Sequence, residues 1–200
     1  MRKIKQKEFD ALPVVHGRRQ CPGDTDYSRI TRFSGKCSFG EGCLFGDSSS
    51  FEAGCSFGKC CSFEAGCSFE EGCSFGKCCS FGEGCLFGGS SSFGAGCSFE
   101  EDCSFEAGCS FGAGCLFEGG KRARSKNPYI AIDRAGSVLR KTYFFDLEDG
   151  IYVRSGCFFG TLAQFRKRVR DDGGTIKLLQ YLGMANIAAI TFGRDDLLEA

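Results

Sequence analysis

The chain of 200 residues has no tryptophan, only three prolines and a single histidine, His16. No stretch approaches the roughly 20 consecutive apolar residues of a membrane helix, so we expect no membrane partner. The N-terminus runs from basic residues into Glu8 without an apolar leader, which predicts a cytoplasmic protein with reduced thiols. Histidine is the usual general base that titrates near neutral pH, and with a single histidine the chain has few candidates for such catalysis.

Glycine, phenylalanine and cysteine are by contrast abundant, with 30, 22 and 16 copies. Such bias is typical of a repeat or of a disulfide scaffold, and the lack of a leader favours the repeat. The formal net charge is zero, but residues 37–120 hold 12 acidic residues against two lysines, a net charge of −10. An acidic segment therefore lies between basic ends that together carry +10.

A six-residue repeat runs through residues 33–120. Phenylalanine recurs there fifteen times at a spacing of six, and cysteine, or serine at 49 and 91, lies two residues before each of the last fourteen. In an extended Cys-Ser-Phe segment alternate side chains share a face, so Cys and Phe point inward and Ser points outward. Glycine-rich turns bend the chain after each unit, and three bends close a triangle. The repeat predicts a mainly β fold, a three-sided parallel β-helix of about five coils held together by stacking, which we call the rod.

The unit Phe-Gly-x-x-Cys-x resembles the hexapeptide repeat of left-handed β-helices, in which an aliphatic residue fills the corner position that Phe takes here. The resemblance covers about 88 of the 200 residues and implies a left-handed coil of three hexapeptides. The Cys-Ser-Phe-Gly runs, followed by a tail with Gly156-Cys157-Phe158-Phe159-Gly160, also resemble uncharacterised proteins of phages and mobile elements of gut bacteria. That second resemblance implies a phage-encoded protein in the cytoplasm of a bacterial host cell.

The flanks of the repeat differ from it in composition. Residues 1–32, with a short helix near Lys5–Leu12, are predicted to cap the strand edges of the first coil. Residues 121–128 are predicted to be a basic linker, and residues 129–200 a small C-terminal α+β domain with the order βββααβ. Its predicted elements are strands over Tyr129–Arg134, Val138–Leu147 and Ile151–Phe159, helices that begin at Thr161 and Thr175, and a last strand near Ile187–Phe192.

Acidic side chains gather at two of the three corners when the repeat is divided into coils. Rows of carboxylates on a narrow rod could imitate the phosphates of a duplex and occupy the basic groove of a nucleic-acid-binding protein. The plainer interpretation is a solvated charged face. The candidate partner-binding residues are Asp47, Glu52, Glu64, Glu70, Glu71, Glu83, Glu100, Glu101, Asp102, Glu106 and Glu118.

Two further groups are candidates for function. Cys60 and Cys78 take the turn position that glycine usually holds and lie one coil apart, within the Cα separation of a disulfide. They are candidates for a bridge, a metal-binding pair or a redox switch, against the plainer alternative of two free thiols. Basic residues could attract phosphate, or the acidic rod of a second copy in a homo-oligomer. The basic patch comprises Lys121, Arg122, Arg124, Lys126, Arg166, Lys167, Arg168 and Arg170.

We predict a non-enzymatic binding protein whose acidic rod binds and inhibits a host protein, such as a nuclease or another nucleic-acid-binding defence protein. The alternative is a structural scaffold whose rod spaces or oligomerises. A hexapeptide acyltransferase is the third interpretation. The resemblance to hexapeptide repeats implies a histidine as the catalytic base, but the single histidine, His16, lies in the N-terminal flank and not in the repeat. Ice binding is disfavoured by a single outward Ser per strand. We expect no catalytic residue, no cofactor, no metal and no direct binding to nucleic acid.

Overall fold

A computed structural model describes residues 1–124, 128–135, 140–156, 158–172 and 175–198. The chain divides into two compact units, Met1–Arg122 and Ala123–Ala200. The first unit is the predicted parallel β-solenoid of about five turns, and the second contains an antiparallel sheet with helices. The mainly β fold class is therefore confirmed.

Short strands of the first unit form three sheets, one for each side of the coil. Strands of the repeat pair in parallel and in register with strands eighteen residues away, as Phe63 pairs with Phe45 and Phe81. Sheet A contains β1 (Arg2–Lys3), β4 (Thr25–Asp26), β7 (Leu44–Phe45), β10 (Ser62–Phe63), β13 (Ser80–Phe81), β16 (Ser98–Phe99), β19 (Leu116–Phe117) and β20 (Lys121–Arg122). Sheet B contains β2 (Val14–Val15), β3 (Arg18–Cys21), β6 (Cys37–Phe39), β9 (Ser56–Phe57), β12 (Ser74–Phe75), β15 (Ser92–Phe93) and β18 (Ser110–Phe111). Sheet C contains β5 (Arg32–Phe33), β8 (Ser50–Phe51), β11 (Ser68–Phe69), β14 (Leu86–Phe87) and β17 (Ser104–Phe105).

Stacked phenylalanine rings fill the interior of the rod. Within sheet C the rings are parallel, with centroids 4.8 Å apart for Phe51 and Phe69 and 5.1 Å apart for Phe69 and Phe87. Rings of neighbouring sheets meet edge to face, as Phe63 and Phe69 do at 5.0 Å and 86°. Such pairs contribute about 0.5–1.5 kcal/mol each beyond the area that they bury. The repeat Phe side chains and the Cys side chains two residues before them are buried, which confirms the predicted inward face.

Each turn between strands has its third residue in the left-handed region of backbone space. Glycine usually takes this position, as Gly66 does at φ 67° and Gly84 at φ 68°, because it has no Cβ to clash. The backbone N–H of Gly66 donates to the carbonyl of Glu83 in the next coil at 2.8 Å. The turns are therefore hydrogen-bonded from coil to coil in the same way as the strands.

The solenoid begins before residue 33, which corrects the predicted N-terminal cap over residues 1–32. β3, β4 and β5 form a complete coil that pairs with β6, β7 and β8. Tyr27 takes the place of the repeat Phe and stacks on Phe45 with ring centroids 5.4 Å apart, so a search for Phe at period six does not find this coil. The helix predicted over Lys5–Leu12 is α1 (Gln6–Asp10), and its buried Phe9 packs edge to face on Phe33 at 5.2 Å.

The C-terminal end of the rod is covered by an antiparallel strand. Lys121 and Arg122, predicted as the start of a basic linker over 121–128, form β20, which pairs antiparallel with β19. A 3-10 turn over Glu118–Gly120 connects the two strands. This pairing covers the last edge of sheet A, which explains why the basic residues there are structured rather than a linker.

The second unit is a four-stranded antiparallel sheet followed by two helices. The strands lie in chain order: β21 (Tyr129–Ala135), β22 (Arg140–Leu147), β23 (Gly150–Ser155) and β24 (Phe158–Thr161). The helices are α2 (Leu162–Asp171) and α3 (Thr175–Thr191), and a 3-10 turn follows over Asp195–Leu197. Phe144 and Val153 of the sheet pack with Leu162 and Phe165 of α2 and with Ala188 of α3 in one core.

The order of this unit is ββββαα, which corrects the predicted βββααβ. The predicted strand Ile151–Phe159 is two strands, because Gly156 at φ 62° lies in a tight connection between them. The predicted last strand Ile187–Phe192 is largely the end of α3. Ala185, Ala188 and Ala189 are buried at helical spacing, and this burial outweighs the preference of Ile187 and Ile190 for strands. The predicted helix start is confirmed by a capping box in which Thr161 Oγ1 accepts from Gln164 N at 3.2 Å.

Candidate acidic surface and thiol pair

The turns of the rod stack into three corners with different charges. The first corner joins sheet B to sheet A, the second joins A to C, and the third joins C to B. The second corner carries Asp47, Glu64, Glu83, Glu100, Glu101, Asp102 and Glu118, and the third carries Glu52, Glu70, Glu71 and Glu106. Glu52 and Glu118 are half-buried and the other nine side chains are exposed. The predicted acidic residues thus lie in two rows along the rod.

An open pocket of about 380 Å³ lies at the second corner among the last coils. Glu83, Glu100 and Glu101 supply its carboxylates, and Ser98 supplies a hydroxyl. The remaining lining residues are Phe99, Leu116, Phe117, Gly119 and Gly120. An acidic rim around an apolar wall suits a cation on an aliphatic stem, such as an arginine or lysine side chain.

Several of the predicted acidic residues have a structural role. The carboxylates of Glu64, Glu70 and Glu106 accept hydrogen bonds from backbone N–H groups seventeen residues earlier, at 3.2, 3.1 and 3.2 Å. Glu52 accepts from Gly35 N at 2.7 Å in the same way, and Asp47 Oδ1 accepts from Ala65 N at 3.0 Å. These bonds satisfy turn N–H groups and hold the carboxylates against the rod. The exposed carboxylates that line the pocket are the better candidates for contact with a partner.

The residues of the predicted basic patch that the structure describes are divided between the two units. Lys121 and Arg122 belong to the rod, whereas Arg124 belongs to the second unit, where its Nε lies 3.0 Å from the carboxylate of Asp146. Lys126 lies outside the described residues.

Within α2 the predicted basic residues have different surroundings. Arg166 is buried and donates to Asn186 Oδ1 at 2.8 Å, which corrects its assignment to a surface patch. Its position four residues after Leu162 on the apolar face of α2 is the physical reason. Lys167 pairs with Asp171 at 2.9 Å and Arg168 with Asp172 at 3.9 Å, and Arg170 is exposed. Two of the predicted basic residues are thus paired with aspartates at the end of α2.

Cys60 and Cys78 are two exposed free thiols at the first corner, one coil apart. Their φ values of 57° and 58° place them in the left-handed turn position, where a residue with a Cβ costs about 1 kcal/mol more than glycine. The Cys60 N–H donates to Lys77 O at 2.9 Å, so the two turns are directly hydrogen-bonded. Both belong to an identical Gly-Lys-Cys-Cys-Ser-Phe segment, which also places Lys59 and Lys77 at this corner.

The buried thiols of Cys67 and Cys85 have a different chemical environment. Cys67 Sγ donates to Gly46 O at 3.4 Å, and its neighbour Cys85 together with burial raises the pKa of the Cys67 thiol. The Cys103 thiol raises the pKa of Cys85 to about 12. Thiols with such pKa values stay protonated at neutral pH and act as small apolar side chains.

The histidine, possible metal ligands and possible membrane spans complete the search for a site. His16 is exposed in the connection between β2 and β3. Among the described residues, no three His, Cys, Asp or Glu side chains converge in a way that could hold a metal ion. Within the same part of the chain, every helix is too short or too polar to cross a membrane.

Sequence reasoning missed the pocket because it depends on residues that break the repeat. Leu116 stands where most units have the outward Ser, and Gly119 and Gly120 follow the last Phe of the rod. The combination of a leucine in a serine position with three successive acids at Glu100, Glu101 and Asp102 one coil earlier is the signal that was available.

Comparison with protein-family models, curated proteins and solved structures found no match to this chain.

Proposed function

We propose that the chain is a non-enzymatic binding protein whose second corner occupies a basic groove on a nucleic-acid-binding protein of the host and inhibits it. The observation that carries the proposal is the exposed row of carboxylates at this corner, with the pocket of Glu83, Glu100 and Glu101 at one end. The host is taken to be a bacterial cell and the chain to be encoded by a phage, as the resemblance of its repeat implies.

The charge density of the rod supports this proposal. The net charge of −10 over residues 37–120 is spread along about five coils, which at about 4.8 Å per coil gives one charge per roughly 2.4 Å. Duplex DNA carries one charge per about 1.7 Å of axis. A protein groove that neutralises phosphates with Lys and Arg would therefore meet a comparable field on the rod.

The rigidity of the rod supports it as well. Backbone ladders join the coils at strands and turns, and the interior is packed with stacked rings. A surface with fixed carboxylates loses little conformational entropy on binding. The pocket would supply an anchor for one arginine or lysine of the partner, with its aliphatic stem against Leu116.

The test uses the full chain as bait in a bacterial lysate, followed by elution with duplex DNA. The working variant is Glu83→Gln, Glu100→Gln, Glu101→Gln, which removes three charges without changing size. The matched control is Glu41→Gln, Glu70→Gln, Glu71→Gln, which removes the same charge from exposed positions at the first and third corners, outside the proposed binding surface.

The proposal predicts that a DNA-binding protein is captured by the native chain and the control, is released by DNA, and is lost from the pocket variant. Equal capture by all three baits would refute the second corner as the binding surface. Capture of the chain by itself alone would favour the alternative, a scaffold that oligomerises.

A further inference from the structure

We infer that Cys60 and Cys78 form a site of covalent modification, at which a low-molecular-weight disulfide that carries carboxylates oxidises the pair to a disulfide between two coils. The inference is independent of the proposed function, because the first corner lies on another edge of the rod from the acidic pocket. It starts from the difference between these two thiols and the inward cysteines, which are buried.

The stacking of the turns places the two cysteines in one column, one coil apart. A Cβ placed at Gly96, one coil after Cys78 in the same column, would lie 3.5 Å from Cys78 Sγ. Cys60, Cys78 and Gly96 share a left-handed backbone, and the hydrogen bonds from Cys60 N to Lys77 O and from Cys78 N to Ala95 O are 2.9 and 3.0 Å long. Because Cys60 and Cys78 are related by the same one-coil step, we expect the Cβ of Cys78 to lie at a comparable distance from Cys60 Sγ. Parallel neighbours about 4.8 Å apart are within the Cα separation that a disulfide requires.

The sequence places these thiols where packing does not require them. Cys61 and Cys79 already fill the inward positions of the same two units, and Cys60 and Cys78 are extra cysteines in turn positions where glycine would be less strained. The exposed Lys59 and Lys77 precede them and are the only two bases between residues 37 and 120. A small disulfide with carboxylates would be attracted to this edge of the rod.

The chemistry is two successive thiol–disulfide exchanges. The thiolate of one cysteine attacks a sulfur of the small disulfide, forming a mixed disulfide and releasing one small thiolate. The thiolate of the other cysteine then attacks the protein sulfur of the mixed disulfide and releases the second small thiolate. The protein loses two electrons and two protons, and the small disulfide gains them as two thiols.

The experiment treats the reduced full chain with oxidised glutathione and maps the products by mass spectrometry after thiol alkylation. The native chain is expected to lose two hydrogens and to give a peptide with Cys60 linked to Cys78. Its melting temperature should rise by roughly 5 °C or more, because the bridge restrains the unfolded chain. Oxidised glutathione should react several-fold more slowly with a Lys59→Gln, Lys77→Gln variant.

The matched control is Cys78→Ser, Gly96→Cys, which keeps two thiols in the same column but separates them by two coils. It should accumulate glutathione on each thiol and form no bridge. The inference is overturned if the native chain stops at glutathione adducts on both cysteines, or if the control forms its bridge at the same rate.

Discussion

The rod and the second unit obtain their cores in different ways. The described aromatic neighbours of Phe69 are Phe51, Phe57, Phe63, Phe75, Phe81 and Phe87, all within eighteen residues of it in the chain. In the second unit, Phe144 of the sheet shares a core with Ala188 of α3, which lies 44 residues further along the chain. A local rule applied many times builds the rod, whereas the second unit depends on contacts between distant segments.

The difference determines how each unit should respond to damage. In a solenoid each coil is stabilised mainly by its neighbours, so a lesion weakens adjacent coils. In a small globular core a lesion is felt by the whole unit. Four predictions test this comparison, in order of decreasing expected effect.

Removing one ring from the middle of the rod should have the largest effect. Phe69→Ala should lower the free energy of unfolding of the rod by about 4 kcal/mol, because it removes stacking on two sides and leaves a cavity. Phe69→Leu, which introduces the aliphatic residue of hexapeptide repeats, should cost less than half as much. Urea denaturation gives the free energies. Hydrogen exchange should show unchanged protection of α2 and α3, and a loss of protection there would contradict the independence of the two cores.

Arg166 tests the same comparison in the second unit. Arg166→Ala should destabilise the second unit by about 2 kcal/mol, since it removes packing between α2 and α3 and the hydrogen bond to Asn186. Lys167→Ala on the exposed face is the control and should change stability by less than about 0.5 kcal/mol. Thermal unfolding of both variants checks the prediction, and equal melting temperatures would show that the buried Arg166 does not stabilise the second unit.

Asp26 makes the N-terminal coil sensitive to acid. Hydrogen bonds from Ser28, followed by Lys3, lower the pKa of this nearly buried carboxyl. Because the pKa of Asp26 is lower in the folded state, its ionised carboxylate stabilises the coil at pH values above the ordinary aspartate pKa of about 3.9. This stabilisation is lost as the pH falls through the folded-state pKa. Asp26→Asn should cost about 1 kcal/mol at pH 7. The difference from the native chain should shrink between pH 4 and pH 2 in urea titrations, and a constant difference would contradict the assignment.

The smallest expected effect has the opposite sign. Cys60→Gly should stabilise the rod by about 0.5–1 kcal/mol under reducing conditions, because glycine adopts φ 57° without strain. Cys61→Gly, next to it but buried, should destabilise the rod. Paired denaturation curves measure both changes. A destabilised Cys60→Gly variant would indicate that the thiol makes a contact that its exposed position does not suggest.

The sequence predicted the rod well and the second unit less well for the same physical reason. Period six fixes the inward Phe, the inward Cys and the turn without knowledge of distant residues. The coil around Tyr27 was not predicted, because its core residue is tyrosine rather than the phenylalanine that defines the repeat. Ile187 and Ile190 favour a strand locally, and only the burial of Ala188 and Ala189 against the sheet and α2 makes the segment helical.

The acidic surface was predicted by position but not in detail. Division into coils assigned each carboxylate to its corner. The hydrogen bonds that hold Glu64 and Glu70 against the preceding coil depend on side-chain geometry, which spacing alone does not determine. The pocket depends on Leu116 and on the two glycines after Phe117, and these depart from the repeat.

The most direct test of the acidic rod as the binding surface is competition with duplex DNA for the captured host protein. The native chain and three variants are titrated against a fixed protein–DNA complex while DNA release is followed by fluorescence anisotropy. The variants are Glu83→Gln, Glu100→Gln, Glu101→Gln at the pocket; Glu41→Gln, Glu70→Gln, Glu71→Gln at the other two corners; and Lys167→Ala, Arg168→Ala in the second unit. We predict that the pocket variant requires at least tenfold more protein to displace DNA, and that the other two remain within about threefold of the native chain. Loss of competition only in the Lys167, Arg168 variant, or equal competition by all four proteins, would contradict the account.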